Sequence, residues 1–136
     1  MLKELLMSSI QFYCLSEAIY NEARGESYDE MVKVGVVIHN RSIDGRWGDT
    51  YCDVVEAPYQ FSYLNGTSGV GSVPMNNKSA LDRVMKAAYS VYTLDKRPYL
   101  DNILYYHTDE VSPNWDYSKI IHLTDHDGTH VYYADR

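Results

Sequence analysis

The stretch Ser8-Ser9-Ile10-Gln11-Phe12-Tyr13-Cys14-Leu15-Ser16-Glu17-Ala18-Ile19-Tyr20-Asn21-Glu22-Ala23-Arg24-Gly25-Glu26 decides how the rest of the chain is read. Ile10, Cys14, Leu15, Ala18, Ile19 and Glu22 recur at three- and four-residue steps, which predicts one amphipathic helix from about Ser8 to Ala23. Gly25 supplies its stop. Glu22 continues the apolar stripe, where a solvated glutamate would normally sit elsewhere on the helix. A carboxyl in such a place loses hydration, and poor hydration favours its neutral, proton-donating form. On spacing alone the plainer reading, a surface glutamate at a frayed helix end, stays ahead.

Downstream, Ser27-Tyr28-Asp29-Glu30 reads as a capping box that opens a second helix, to about Arg41. Met31, Val32, Val34, Val36, Val37 and Ile38 would also suit a strand, but the cap and the length favour a helix buried on most sides. Glu30 is adequately explained by capping. Residues 43–75 are rich in turn-formers and read as irregular, with a short helical piece near Cys52–Glu56. Gly66–Ser72 reads as a flexible loop, and it lacks the Gly-Lys-Ser/Thr ending of a phosphate-binding loop. A third helix is predicted from about Asn77 to Leu94, with Leu81, Val84, Met85, Ala88, Val91 and Tyr92 as its stripe and Pro98 beyond its end. Strands follow around Ile103–His107 and His130–Tyr133, separated by a loop holding Pro113. The expectation is a single α+β domain spanning 1–136, a mainly helical core with a small sheet.

Twelve basic against nineteen acidic residues give a net charge of -7, and no Lys/Arg cluster offsets the repulsion of polyphosphates, so nucleic acid is not an expected partner. No apolar run approaches the roughly 20 residues of a bilayer span, so membrane insertion is not expected. The start, Met1-Leu2-Lys3-Glu4-Leu5-Leu6-Met7, is a poor secretory signal. The expectation is synthesis in the cytoplasm, with action elsewhere after release or export. The two cysteines, Cys14 and Cys52, fit no zinc framework and leave two readings open, buried free thiols or one disulfide.

Several residues could carry chemistry. Cleaving a glycosidic bond needs an acid that is protonated near neutral pH, and Glu22 is placed for that. Glu26, four residues on, could be a second carboxylate, but a structural pairing with Arg24 or Arg41 is the stronger reading. His122, His126 and His130 are spaced as one helix face, but the intervening Thr, Asp and Gly residues argue for a turn leading to a strand, so no metal or cofactor is expected. His39 and His107 read as hydrogen-bonded core residues. No nucleophile elbow is present. Among fourteen tyrosines, Tyr59-Gln60-Phe61-Ser62-Tyr63 and Tyr105-Tyr106-His107 are candidates for a sugar groove, where aromatic faces meet apolar ring faces.

Taken together, Tyr20-Asn21-Glu22-Ala23-Arg24-Gly25-Glu26, Val36-Val37-Ile38-His39-Asn40-Arg41, Cys52-Asp53-Val54-Val55, Gln60-Phe61-Ser62, Leu104-Tyr105-Tyr106-His107, Val111-Ser112-Pro113-Asn114-Trp115 and Gly128-Thr129-His130-Val131-Tyr132 resemble, in order, the blocks of the SleB/CwlJ-type cell-wall hydrolases. The resemblance covers about residues 13–133. It implies a lysozyme-like domain and lytic transglycosylase activity on the N-acetylmuramic acid–N-acetylglucosamine bond of peptidoglycan. It also implies Glu22 as acid/base, no cofactor, and a groove drawing on Gln60, Phe61, Ser62, Tyr105 and Tyr106. A monomer is expected. Two-carboxylate hydrolysis with Glu26 or Asp116, a zinc amidase, and a silent wall-binding module are the rival readings. The chain departs from the pattern at Asp127 and Tyr59. It also lacks the signal peptide and wall-binding domain of the spore enzymes, which implies a stand-alone lysin of phage type.

Overall fold

The structure is a computed structural model that describes residues 2–58, 60–93, 102–123 and 129–136, without the side chains of residues 3–7. Tyr59, Leu94, Pro98, His126, Asp127 and Gly128, which figured in the sequence reading, lie outside the described residues.

Helix α1 runs Leu2–Ala23, starting six residues earlier than the stripe predicted. Its buried surface is also wider than a stripe. Every residue from Cys14 to Tyr20 is buried, including Ser16 and Glu17, because the helices Tyr28–Asp44, Tyr51–Glu56 and Lys78–Thr93 all pack against α1. Ile10 is 52% exposed and lies outside the core.

Helix α2 runs Tyr28–Asp44. The Ser27 hydroxyl accepts from the Glu30 amide at 3.2 Å, so the predicted cap forms. Its β-branched residues stay helical because tertiary packing outweighs a propensity difference of a few tenths of a kcal/mol per residue. All residues from Glu30 to Ile38 are buried, as expected for a helix enclosed on most sides. Gly45 ends it in the left-handed region, φ 91°, and donates its amide to the Arg41 carbonyl.

Helix α3 spans Tyr51–Glu56, close to the predicted short piece, and helix α4 spans Lys78–Thr93. On α4 the buried positions are Ala80, Val84, Ala87, Ala88 and Val91. Met85 and Tyr92, expected in the stripe, are exposed because the face turns toward the alanines, which permit close approach to α2. Gly35 of α2 marks the tightest point: a Cβ there would lie 2.8 Å from Val91 Cγ2 and 2.9 Å from Ile19 Cδ1. Gly35→Ala is therefore expected to destabilise by about 1–3 kcal/mol despite alanine's better helix propensity, read as a lower chemical-denaturation midpoint at unchanged slope.

Strands β1 (Ile103–Thr108), β2 (Ile120–Leu123) and β3 (His130–Asp135) form an antiparallel sheet in the order β1-β3-β2. Two of the strands were expected. β2 was missed, since four residues, two of them exposed, carry too short a pattern to stand out. β1 packs on α2, which fixes the sheet against the helical core. The other face of the sheet carries Tyr105, His107, Trp115, Tyr117 and Tyr133 in mutual ring contact, a small aromatic layer formed by residues 113–117 folding back.

Cys14 and Cys52 form a disulfide joining α1 to α3, which resolves the two readings of the cysteines. No helix among the described residues is long and apolar enough to cross a membrane.

Candidate active site

Four elements converge on the last turn of α1. Glu22 sits there half-buried, and the Tyr106 hydroxyl of β1 donates to its Oε1 at 2.5 Å. Strand alternation explains why Tyr106 and not Tyr105 does this: neighbouring residues point to opposite faces. Burial raises the Glu22 carboxyl above the usual carboxylate range, against the lowering effects of the Tyr106 hydrogen bond and of the positive charges of His130 and Arg41. The arrangement is a carboxylic acid that keeps its proton to higher pH than a solvated glutamate, with one oxygen already engaged.

Arg41 of α2 forms the next part. It is 5% exposed, donates from Nε to the Leu104 carbonyl at 2.7 Å and from Nη1 to Gln60 Oε1 at 3.2 Å, and lies 4.7 Å from the Trp47 ring centre. Gln60 is thus tied through Arg41 to the Glu22 neighbourhood. It also lines a surface pocket of about 530 Å³ together with Arg46, Trp47, Asp53, Glu56, Ala57 and Pro58. Glu22 is not among the residues that line it.

Glu17 is completely buried in α1, with Oε1 accepting from the Tyr63 hydroxyl and Oε2 from the Gly71 amide, both at 2.9 Å. It straps the segment after Gln60 and the glycine-rich loop to the helix. The loop read as flexible is thereby anchored at Gly71. Burial raises the Tyr63 hydroxyl, with hydrogen bonding to Glu17 and the charges of Glu17 and Glu22 adding to it, so Tyr63 lies between the two carboxyls electrostatically.

The other candidates are distributed differently from the sequence reading. Phe61 is 3% exposed in the hydrophobic core, so it presents no face to a sugar. Ser62 is exposed and opens the 3-10 turn Ser62–Leu64. Tyr105 is on the opposite face of β1 from Tyr106. Its hydroxyl donates to Asp135 Oδ1 at 2.8 Å and accepts from Arg46 at 3.0 Å, so the structure does not bring it to Glu22.

Glu26 lies beyond the end of α1, so the four-residue helical spacing to Glu22 does not apply. Its carboxylate accepts from the Thr129 hydroxyl at 2.5 Å and its carbonyl from Arg83, so its partners are neither Arg24 nor Arg41. Asp116 is exposed and caps the Tyr117–Lys119 turn. Glu30 corrects its capping assignment most clearly. Its carboxylate does not return to Ser27 but is fully buried, accepting from the His130 backbone amide and Nδ1, both at 3.2 Å. His130 and His122 lie on strands, and among the described residues no cluster of three ligating side chains is present. His39 bonds Tyr51 at 2.7 Å and His107 bonds Tyr133 at 3.0 Å, so both are hydrogen-bonded as expected, but both are half-buried and lie outside the core.

Glu17, Arg41, Glu30 and His130 were not singled out as site residues from sequence. The available signal for Glu17 was its place three residues after Cys14 and four before Asn21 on a helix that turns out to be enclosed. For the others only long-range contacts carry the information.

A helical core and a small antiparallel sheet, with the half-buried Glu22 carboxyl between them, define a lysozyme-like α+β domain. A family model described as cell wall hydrolase matches residues 25–133, and the chain belongs to that family, of SleB/CwlJ type, whose enzymes act on peptidoglycan. The match begins after Glu22. Among solved structures, the catalytic domain of the Bacillus cereus SleB protein is similar in fold, with TM-score 0.64 and 24% identity, over 90% of this chain and 88% of that one. No curated protein matches the chain.

Proposed function

We propose that the protein is a lytic transglycosylase that cleaves the N-acetylmuramic acid–N-acetylglucosamine bond of peptidoglycan, with Glu22 as its acid/base. The observation that supports this reading is the company Glu22 keeps. Among the described residues, the groups that act on it most strongly are a hydroxyl, an imidazole and a guanidinium, with no carboxylate among them. Both acidic residues weighed as its partner are engaged in other bonds, Glu26 with Thr129 and Asp116 with Ser118.

Protonated Glu22 gives its proton to the glycosidic oxygen as the bond from that oxygen to the muramic acid C1 breaks. The sugar's own 6-hydroxyl oxygen then bonds to C1, and its proton returns to the Glu22 carboxylate. This closes an anhydro ring without consuming water and leaves the acid ready for the next cycle. Tyr106 supports both halves: it occupies Oε1, so Oε2 is the oxygen that exchanges the proton. Gln60 and Ser62 are the groove residues retained in this reading.

The disulfide supports action outside a reducing cytosol, at the wall itself. A digest of purified peptidoglycan, analysed by mass spectrometry, tests the reaction. The expected fragments end in an anhydro sugar, one water lighter than a hydrolysed end. Hydrated reducing ends would replace this mechanism with hydrolysis, and free stem peptides on intact glycan would replace it with an amidase.

A further inference from the structure

Glu30 and His130 form a buried pair that neither capping nor the proposed proton transfer uses. Burying a carboxylate costs several kcal/mol unless its partners are well placed. Here Glu30 is 0% and His130 3% exposed. One oxygen, Oε1, takes both the backbone amide and the ring Nδ1 of the same residue, while Oε2 faces Lys33 Nζ at 3.9 Å. Burial would raise the Glu30 carboxyl, but the two His130 bonds and the charges of His130 and Lys33 outweigh it and hold it below the usual carboxylate range.

Grasping backbone and ring of one residue together fixes the direction of that ring. The His130 ring is thereby set edge-on to Tyr106, with centroids 5.1 Å apart and planes at 75°. Tyr132 packs against both rings, at 6.0 Å from Tyr106 and 6.2 Å from His130. Tyr106 in turn ends on Glu22 Oε1. The connected order is Glu30 of α2, His130 of β3, Tyr106 of β1 and Glu22 of α1.

We propose that Glu30 and His130 are positioning residues for Glu22, acting through the ring of Tyr106. This rests on the reading of Glu22 as the acid. The pair sets where the Tyr106 hydroxyl stands, and so how firmly one oxygen of Glu22 is held and how readily the other gives up its proton. Among the described residues, the charged or titratable groups acting on Glu22 are Tyr106, His130, Arg41 of α2, and Tyr63 of the 3-10 turn. Of these, Arg41 and Tyr63 are anchored independently, on Leu104 and Glu17.

A double-mutant cycle tests the proposal. His130→Asn keeps a donor that can reach Glu30 but removes the ring that meets Tyr106, and Tyr106→Phe keeps the ring but removes the hydroxyl. Each single variant is expected to lower kcat on purified peptidoglycan about 10- to 100-fold with little change in KM. Each should also move the alkaline limb of the pH–rate profile upward, because a group that favours the ionised form of Glu22 is lost. The double variant should be no slower than Tyr106→Phe alone. Multiplicative losses would overturn the proposal, since His130 would then act by another route. Thermal melts establish that the variants fold, and His130→Gln is the second choice if His130→Asn does not. The Glu22 side-chain carboxyl is also titrated by carbon NMR, which needs no substrate. Its midpoint should rise in both single variants, and His130→Asn should raise it further in the wild type than in the Tyr106→Phe background; equal rises in the two backgrounds would mean that His130 acts on Glu22 only by its charge and would overturn the coupling. Should the wild type release nothing from peptidoglycan, the functional reading fails, and the same titration still decides the coupling.

Discussion

Glu22→Gln is expected to leave the fold intact and reduce peptidoglycan cleavage by about 10²- to 10⁴-fold, the range that one general acid contributes. The amide has the shape of the protonated acid and can still accept the Tyr106 hydroxyl at the position of Oε1. It cannot give a proton to the leaving oxygen. Because burial already favours the neutral carboxyl, replacing it by a neutral amide should leave the melting temperature close to that of the wild type. Release of soluble fragments from purified peptidoglycan, measured beside a thermal melt, checks both halves. Wild-type turnover in this variant would remove Glu22 from the mechanism. The sign of the pH dependence follows from the same burial. The active form carries the proton, so the rate should fall as pH rises through the Glu22 pKa, and that pKa stands above the usual carboxylate range.

Removing the disulfide is expected to have the largest effect on stability. Cys14 and Cys52 are 38 residues apart, and closing a loop of that length in the unfolded chain is worth about 4 kcal/mol on the chain-entropy account. The bond also pins α3 to the enclosed part of α1, from which Glu17 and Glu22 project. Cys14→Ser with Cys52→Ser, or reduction of the wild type, should therefore lower the unfolding free energy by about 2–4 kcal/mol. Chemical denaturation with and without reductant measures it. An unchanged midpoint would mean that the crosslink contributes nothing to the folded state's advantage.

The legible part of this protein was local. Cap residues, a glycine stop and three- and four-residue steps placed the helices within a few residues, apart from the start of α1, because those signals act between neighbours in the chain. Ser27 caps α2 as read, and the valine-rich segment is helical. The same locality explains the errors. Glu30 stood at a position that a capping box explains, and nothing within four residues of it shows that its carboxylate belongs to His130, a hundred residues away. Phe61 and Tyr105 looked like groove residues because an aromatic side chain reads alike on either side of a strand or turn. Burial of one and the strand face of the other decided against them.

Glu22 shows both levels in one residue. The sequence alone put a carboxylate on the apolar side of a helix end, and the ordered motifs along the chain attached an acid's role to it. Whether that carboxyl is poorly hydrated, and which of its oxygens is occupied, depends on Tyr106, Arg41 and His130 arriving from β1, α2 and β3. Proton affinity is set by desolvation and by charges within a few ångströms, whichever part of the chain supplies them. The sequence therefore determined the helices and the place of the Glu22 carboxyl, and only the tertiary structure decided the environment that favours its protonated form.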